Sequence, residues 1–341
     1  MRRVNVGIVV AASLVGVVGR GGDPVSGHSG PPPVTTLVTL DPAAGELPES
    51  LTSDGHGDLY FSLVSGSVRR INPDHSVVQV GSVPLPAGAL LTGIKVGRDG
   101  FIYVCSASFS PSPSGAFVWR MSPVTGAVTQ FASLDASGFP NDLAFTEDGT
   151  MFVTDPFLGA LWKIDSAGHA ALFLSDPLFA GSGTSPAFTG QPFGIDGIAF
   201  DKDASELLVS NVDFGRIMRV DLDDCRPHAE VFVEDARLKG IDGIAVDRRG
   251  TIYAAVNTQN RIATVDKHGT IAILVEGSPP FDSPSSFAFG TGKNDERTLY
   301  VSNFAIVNSL AGQPAHPGIL SLPVQTPGLA LIGEELDHDR H

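Results

Sequence analysis

The chain of 341 residues contains only two cysteines, Cys105 and Cys225. Two cysteines cannot form a framework of disulfides, although a single bridge would be compatible with an exported protein. They lie far apart in the sequence, so they also lack the paired spacing of a cysteine-rich zinc site. The fold must therefore be stabilised by its apolar core.

Positively charged residues are also scarce. The chain has 22 Lys and Arg against 37 Asp and Glu, which gives a formal net charge of −15. Binding of nucleic acid requires clustered Lys and Arg, and the sequence contains no such cluster, so we expect no nucleic acid partner. The acidic balance is compatible with cations or neutral small molecules, and an apolar content of 42 % is sufficient for a large core.

An apolar run at the N-terminus is short for a membrane span. It extends over residues 4–18, follows Arg2 and Arg3, and ends in small residues at Gly19. This order is typical of a secretion signal, so we expect residues 1–19 to be a signal peptide. The protein would then be exported, either secreted or held in the periplasm or at the cell surface, without a stable membrane span. An uncleaved N-terminal anchor is the alternative.

Six segments of the chain share one plan. Each has a polar residue, a short apolar strand, a turn that often contains Asp-Gly, and a second strand, usually followed by two more. The segments start 43, 49, 55, 46 and 43 residues apart, at Glu49, Thr92, Asn141, Asp196, Asp242 and Ser285. Runs of this length, rich in Val, Ile, Phe and Leu and separated by Gly and Asp, predict β-strands.

A four-stranded antiparallel unit of about 40–50 residues that occurs six times is typical of a β-propeller. The sequence therefore predicts an all-β protein, with a six-bladed β-propeller over residues 34–332. A flexible linker rich in Gly, Pro and Ser is expected at 20–33, and a charged tail at 333–341. A two-domain β-sandwich would not explain repeated units of one design.

The six starting residues are predicted to form a ring around the propeller axis, here called the axial ring. The first strand of each blade lines the central channel, so equivalent positions lie at one height. Every member carries a side-chain oxygen, and Glu49, Asp196 and Asp242 are carboxylates. Three converging carboxylates would repel one another unless a cation neutralised them. Oxygen ligands favour one calcium ion, with magnesium or manganese as alternatives, although Asp and Asn also commonly cap turns.

Four stretches resemble the senescence marker protein/gluconolactonase (regucalcin-like) family and, more distantly, the paraoxonases. They are PES at 48–50, FPNDLAF at 139–145, FGIDGIAF at 193–200 and GIDGIAV at 240–246. The resemblance implies a six-bladed propeller with one divalent metal ion, acting mainly on lactones and related esters. By position, it implies that the metal ligands are Glu49, Asn141, Asp196 and Asp242, and that Asp242 is also the catalytic base.

Two positions depart from the family pattern. Asp196 stands where the family commonly has a ligand asparagine, which adds a negative charge. Phe139 stands where the animal gluconolactonases are expected to have an arginine suited to an acidic sugar. We therefore expect a more apolar substrate, with Phe139 as one of its contacts.

Polar residues at the ends of the second strands are further candidates. Antiparallel order returns these ends to the face of the axial ring, so Asp155, Asn211 and Asn257 are predicted to contact substrate, with turn capping as the alternative. Asn303 has the same place in the sixth segment. Long insertions at 106–115 and 176–194 would roof the site.

The hypothesis from the sequence is a metal-dependent hydrolase of a lactone or ester. The cation would polarise the substrate carbonyl, and Asp242 would accept a proton from the attacking water. The sequence has no Gly-x-Ser-x-Gly motif, which disfavours a serine hydrolase. Two alternatives stay open: a non-catalytic exported propeller that binds a ligand or partner and holds a structural cation, and a lyase or a biosynthetic enzyme on the same scaffold.

Overall fold

The computed structural model describes residues 30–109, 115–183, 191–222 and 225–329. They form six four-stranded antiparallel sheets, and the inner strand of each sheet contacts the inner strands of its two neighbours in a closed circle. The predicted six-bladed β-propeller is confirmed. The predicted signal peptide at 1–19, most of the linker at 20–33 and the charged tail at 333–341 lie outside the described residues.

Five blades consist of four consecutive strands that run outward from the axis. After a first strand, β1 (Thr35–Thr39), blade one contains β2 (Pro48–Ser53), β3 (Leu59–Leu63), β4 (Ser67–Ile71) and β5 (Val77–Ser82). Blade two contains β6 (Ala89–Val96), β7 (Ile102–Ser108), β8 (Phe117–Met121) and β9 (Val128–Ser133). Blade three contains β10 (Leu143–Phe145), β11 (Met151–Asp155), β12 (Ala160–Ile164) and β13 (Ala170–Ser175).

The remaining blades follow the same order. Blade four contains β14 (Ile195–Phe200), β15 (Glu206–Asn211), β16 (Arg216–Asp221) and β17 (Ala229–Glu234). Blade five contains β18 (Ile241–Val246), β19 (Ile252–Val256), β20 (Arg261–Val265) and β21 (Ile271–Glu276). Short 3-10 turns lie at Pro42–Ala44, Pro177–Phe179, Ala236–Leu238 and Asn257–Gln259, and a short helix α1 spans Ile306–Leu310.

Blade six combines strands from both ends of the propeller. Its three inner strands are β22 (Pro284–Phe289), β23 (Thr298–Asn303) and β24 (Gly318–Pro323), and its outermost strand is β1. Thr35 pairs with Ser321 and Thr39 with Gly318 in antiparallel register. This closure did not follow from the repeat pattern, because the segment at Ser285 supplies only three of its own strands.

The core is divided into apolar clusters that lie between neighbouring blades. One cluster joins Tyr60 and Val68 of blade one to Ile94 and Trp119 of blade two, and an equivalent cluster joins each following pair of blades around the circle. A fully buried aliphatic or aromatic side chain of this kind contributes about 1.5–3 kcal/mol. The alternating apolar residues of each strand therefore stabilise the contacts between blades as well as the blades themselves.

Five of the six inner strands have a β-bulge at the member of the axial ring. The register shifts in β2, β6, β14, β18 and β22, at the positions of Glu49, Thr92, Asp196, Asp242 and Ser285. A bulge leaves a residue out of the regular pairing and redirects its side chain, and bulges are common next to functional sites. The bulges thus explain how neighbouring inner strands present one polar residue each at the same height.

The inner strands approach closely just after the axial ring. A Cβ atom at Gly197 would lie 2.5 Å from the carbonyl oxygen of Asp242, and one at Gly243 would lie 2.5 Å from that of Ser285. No larger residue fits without moving a strand. Glycine at these positions therefore permits the close contact between inner strands.

Buried hydroxyl groups connect each of four blades to the next. A Ser or Thr near the end of the second strand donates to a carbonyl at the start of the neighbouring inner strand. The donors are Ser62, Thr154, Ser210 and Ser302, and the acceptors are the carbonyls of Thr92, Asp196, Asp242 and Pro48. Three of these acceptors, the carbonyls of Thr92, Asp196 and Asp242, lie in the bulges, where the regular ladder is interrupted.

The two cysteines do not form a disulfide bond with each other, since Cys105 is buried and Cys225 is exposed. Within the described ranges, no helix has the length and apolar character needed to cross a membrane.

The hydroxyl of Ser302 joins blade six to blade one, since it donates to the carbonyl of Pro48 at 2.8 Å. We expect Ser302→Ala to lower the free energy of unfolding by about 1–3 kcal/mol, because a buried acceptor loses its donor. The measurement is urea unfolding followed by circular dichroism. Ser133→Ala, at an exposed position in β9, is the control and should change stability by less than about 0.5 kcal/mol. Equal effects of the two variants would contradict this role.

Candidate functional site

The axial ring is buried at the end of the channel where the inner strands begin. Glu49, Asn141 and Asp196 are 7 %, 4 % and 4 % exposed, and Asp242 is partly exposed. Thr92 and Ser285 are buried, and their hydroxyls donate to the backbone carbonyls of Pro140 and Glu49. The structure therefore brings the four predicted metal ligands to one region, and the other two members serve backbone contacts.

The three carboxylates of the axial ring influence one another. Burial raises the pKa of Glu49 well above its ordinary value, and the nearby carboxylates of Asp196 and Asp142 raise it further. Burial and the carboxylate of Asp242 raise the pKa of Asp196 in the same way. For Asp242, burial is again the largest cause of a raised pKa, followed by the charge of Glu49. A full set of negative charges is therefore unfavourable here without a positive partner.

Two amide side chains partly relieve this repulsion. The Asn141 amide donates to Asp196, and the Asn257 amide nitrogen donates to Asp242 Oδ2 at 3.0 Å. These hydrogen bonds lower the pKa values of Asp196 and Asp242, against the larger effect of burial. Each aspartate of the axial ring is therefore held in position by a neighbouring asparagine.

Two oxygens at this site lack the partner that a buried acceptor normally has. Glu49 Oε2 and Asn257 Oδ1 are buried, and neither accepts a hydrogen bond. Buried side-chain oxygens in proteins are nearly always satisfied by a donor, a water molecule or an ion. Glu49 Oε2 and Asn257 Oδ1 therefore have acceptor capacity that a cation or a water molecule could use.

The donor set fits a hard divalent cation in its chemistry, because all four predicted ligands offer carboxylate or amide oxygens. Across the described ranges, however, no three His, Cys, Asp or Glu side chains are grouped closely enough to form a metal site by themselves. An ion would thus have to draw the carboxylates together or be completed by Asn141 and water.

The predicted substrate contacts at the second-strand ends differ in their surroundings. Asp155 Oδ1 accepts hydrogen bonds from the backbone of Phe139 and Phe157. Asn211 donates to the carbonyls of Leu178 and Ala180 at 3.1 Å. Both side chains make the backbone contacts expected of turn capping, and a substrate contact for either stays a prediction.

Asn257 alone of these candidates reaches the axial ring, and the strand register explains why. Asn211 pairs directly with Ile195, and Asn303 pairs with Pro284, just before the ring member of each blade. In blade five it is Val256 that pairs with Ile241, so Asn257 lies one residue farther along. The offset turns its side chain towards Asp242.

Phe139 lies on the same face but is itself only 2 % exposed. Its ring packs against Phe109, Phe157 and Phe193, at centroid distances of 4.7, 4.7 and 5.5 Å. The two insertions expected to roof the site are only partly described, because residues 110–114 and 184–190 lie outside the structure's described ranges. A direct contact between Phe139 and substrate remains a prediction.

A cavity of about 720 Å³ is lined mainly by residues that follow the axial ring along the inner strands. Its walls include Phe145, Phe200, Phe289 and Lys95, and none of the four predicted ligands. The raised pKa values of the carboxylates and the unpartnered Glu49 oxygen belong to residues of the axial ring, none of which lines this cavity, so we assign the candidate site to the axial ring.

The sequence profile of the SMP-30/Gluconolactonase/LRE-like region matches residues 47–305 of this chain. The chain belongs to this family. The match begins just before Glu49 and ends at Ala305, so it includes all six members of the axial ring. No curated protein sequence matches the chain.

Several solved structures share the fold at low sequence identity. Calcium-binding regucalcin from Agrobacterium tumefaciens is 17 % identical with a TM-score of 0.61, covering 86 % of this chain and 96 % of that chain. A gluconolactonase from Xanthomonas campestris is 17 % identical, with a TM-score of 0.60. The match covers 86 % of this chain and 89 % of the gluconolactonase. A luciferin-regenerating enzyme is 15 % identical with a TM-score of 0.66, covering 89 % and 100 %.

Two charged residues beside the axial ring were missed in the sequence. Asp142 is 7 % exposed, and its Oδ1 atom lies 3.2 Å from the ammonium nitrogen of Lys95. Three of the other repeats have glycine where Asp142 stands, at Gly93, Gly197 and Gly243. The sequence could have revealed this pair in two ways. Asp142 replaces the glycine that follows the starting residue in three other repeats, and Lys95 is a charged residue within the otherwise mostly apolar inner strand β6.

The pairing of Lys95 with Asp142 leads to a prediction on stability. We expect Lys95→Met to lower the free energy of unfolding by about 2 kcal/mol, because it leaves the Asp142 carboxylate without its cationic partner. The variant Lys95→Met/Asp142→Gly should lose less than the sum of the single variants, with a coupling of about 1 kcal/mol in urea unfolding. Additive losses would show that the two charges do not stabilise each other.

Proposed function

We propose that the protein is a metal-dependent hydrolase of lactones or related esters, with its active centre at the axial ring. The observation that carries this proposal is the convergence of three mutually repelling carboxylates, of which Glu49 and Asp196 are buried and Asp242 is partly exposed, together with the unpartnered Oε2 atom of Glu49. Membership of a family named for gluconolactonase supports the reaction class. The Xanthomonas gluconolactonase supports it through a shared fold.

One divalent cation is part of the proposal, and calcium is our first choice. Glu49, Asn141, Asp196 and Asp242 would hold it through oxygen atoms, which suits calcium and, less closely, magnesium or manganese. The fold shared with calcium-binding regucalcin supports this choice. When bound, the ion would supply positive charge to polarise the carbonyl oxygen of a substrate.

Asp242 is the residue that we propose as general base. It is the least buried of the three carboxylates, and the Asn257 amide fixes its Oδ2 atom. An Asp242 carboxylate would take a proton from water while the water oxygen forms a bond to the acyl carbon. The bond from that carbon to the alcohol oxygen then breaks, and the alcohol oxygen receives the proton.

The test uses the purified protein with its metal content measured before and after treatment with a chelator. We expect Asp242→Asn to lower hydrolysis of a lactone and aryl-ester panel by at least about a hundredfold. The same variant should lose most of the stabilisation that calcium gives the wild type, about 2.7 kcal/mol at a hundredfold excess over Kd. Thermal unfolding with and without calcium measures this second effect independently of activity.

The matched control is Asp203→Asn, which removes the same charge from an exposed surface position. It should retain both turnover and the calcium effect. Turnover that survives in Asp242→Asn would contradict the role of the general base. Bound metal with no chelator-sensitive hydrolysis of any substrate in the panel would instead indicate a structural cation.

A further inference from the structure

Four phenylalanine rings form a continuous cluster beside the axial ring, here called the aromatic wall. Phe139 and Phe157 have ring centroids 4.7 Å apart, and each lies within 6 Å of Phe193. Phe109 completes the wall at 4.7 Å from Phe139 and 6.0 Å from Phe157. The cluster joins residues from blades two, three and four on one face of the propeller.

The aromatic wall is continuous with two members of the axial ring. Phe139 stands two residues before Asn141, and Phe193 stands three residues before Asp196. Asn141 donates to the Asp196 carboxylate, so these two chain segments are in direct contact at the axial ring. A substrate whose reacting carbonyl lies at the carboxylates would therefore extend towards these aromatic rings on the side of blades three and four.

Buried carboxylates fix the wall from behind. Asp155 Oδ1 accepts from the backbone nitrogens of Phe139 at 2.9 Å and Phe157 at 3.2 Å. Asp213 Oδ2 accepts from the backbone nitrogen of Phe193 at 3.1 Å. Charge-assisted bonds to backbone N–H groups hold these segments in place before any ligand arrives, which lowers the entropy lost on binding. Asp155 thus positions two segments of the wall, whether or not it also contacts substrate as predicted.

Part of the wall is open to solvent. Phe109 is 48 % exposed and Phe157 is partly exposed, whereas Phe139 and Phe193 are each 2 % exposed. A rigid base of two buried rings thus supports two rings with accessible apolar surface. Flat apolar surface of this kind favours an alkyl chain or an aryl group, and it offers no partner to the hydroxyl groups of a sugar.

We infer that the aromatic wall binds the apolar acyl chain or aryl group of the substrate, so that the protein prefers alkyl-substituted or aryl lactones and esters to polar sugar lactones. This inference rests on the proposed function for the identity of the reacting group. The proposed function identifies the carbonyl group that reacts, and this inference identifies the chemical nature of the rest of the substrate.

The experiment compares an unsubstituted six-membered lactone with the same lactone bearing a five-carbon alkyl chain. A buried methylene changes affinity by roughly fourfold, and the chain lies on only one side against the wall, so we expect kcat/KM to rise roughly tenfold. In Phe109→Ala the ratio of the two kcat/KM values should fall at least about threefold. Leu172→Ala, which removes a 55 % exposed side chain from β13, is the control and should leave the ratio unchanged.

Binding of the corresponding lactams, measured by calorimetry, separates this inference from the proposed function. Lactams resist hydrolysis, so tighter binding of the alkyl lactam that is lost in Phe109→Ala supports the wall even if no lactone is turned over. In that case the proposed reaction fails and the binding surface stands. Equal binding and equal turnover of the two compounds by the wild type would overturn the inference. A ratio that is the same in Phe109→Ala and wild type, with circular dichroism showing both folded, would also overturn it.

Discussion

The close approach of the six inner strands around the axis is the constraint on which the rest of the structure depends. Gly197 and Gly243 let the backbones of neighbouring inner strands come into direct contact. Buried hydroxyl groups donate to backbone carbonyls in the bulges, as Ser210 does to the carbonyl of Asp242. The bulges in five of these strands then direct one polar side chain each towards the channel. Carboxylates that are more than 40 residues apart in sequence meet because the backbone gives them no alternative.

This convergence is unfavourable in itself, and the remainder of the fold has to sustain it. Burial and mutual repulsion both raise the pKa values of Glu49, Asp196 and Asp242. The apolar clusters between blades provide the stability that allows such a centre to exist. Hydrogen bonds from Asn141 and Asn257 reduce the repulsion without removing it. Groups whose pKa values are shifted by burial and by specific charged neighbours in this way cluster at functional sites.

The repeat period alone was sufficient to predict the fold class, the number of blades and the placement of the axial ring, because strands of one design must stack around an axis. Register was not predictable in the same way. Asn211 and Asn257 look equivalent in the sequence, yet a shift of one residue in β19 directs only Asn257 to the carboxylates. Asp142 was missed because it occupies a position where other repeats have glycine. The closing strand β1 was missed because its partner is distant in sequence and no local pattern records that pairing.

The pairing of β1 with β24 also affects the order in which the molecule can fold. β1 leaves the ribosome before any blade has formed, and its partner strand β24 is the last of the described strands to be synthesised. Contacts between residues so distant in sequence form slowly, because a long loop must close before they are gained. Five blades can assemble from local hairpins as the chain emerges, whereas the sixth must wait. Until β1 pairs with β24, the edge of the sheet in blade six stays open and can pair with another chain. The closure of blade six is therefore the folding step most exposed to misassembly.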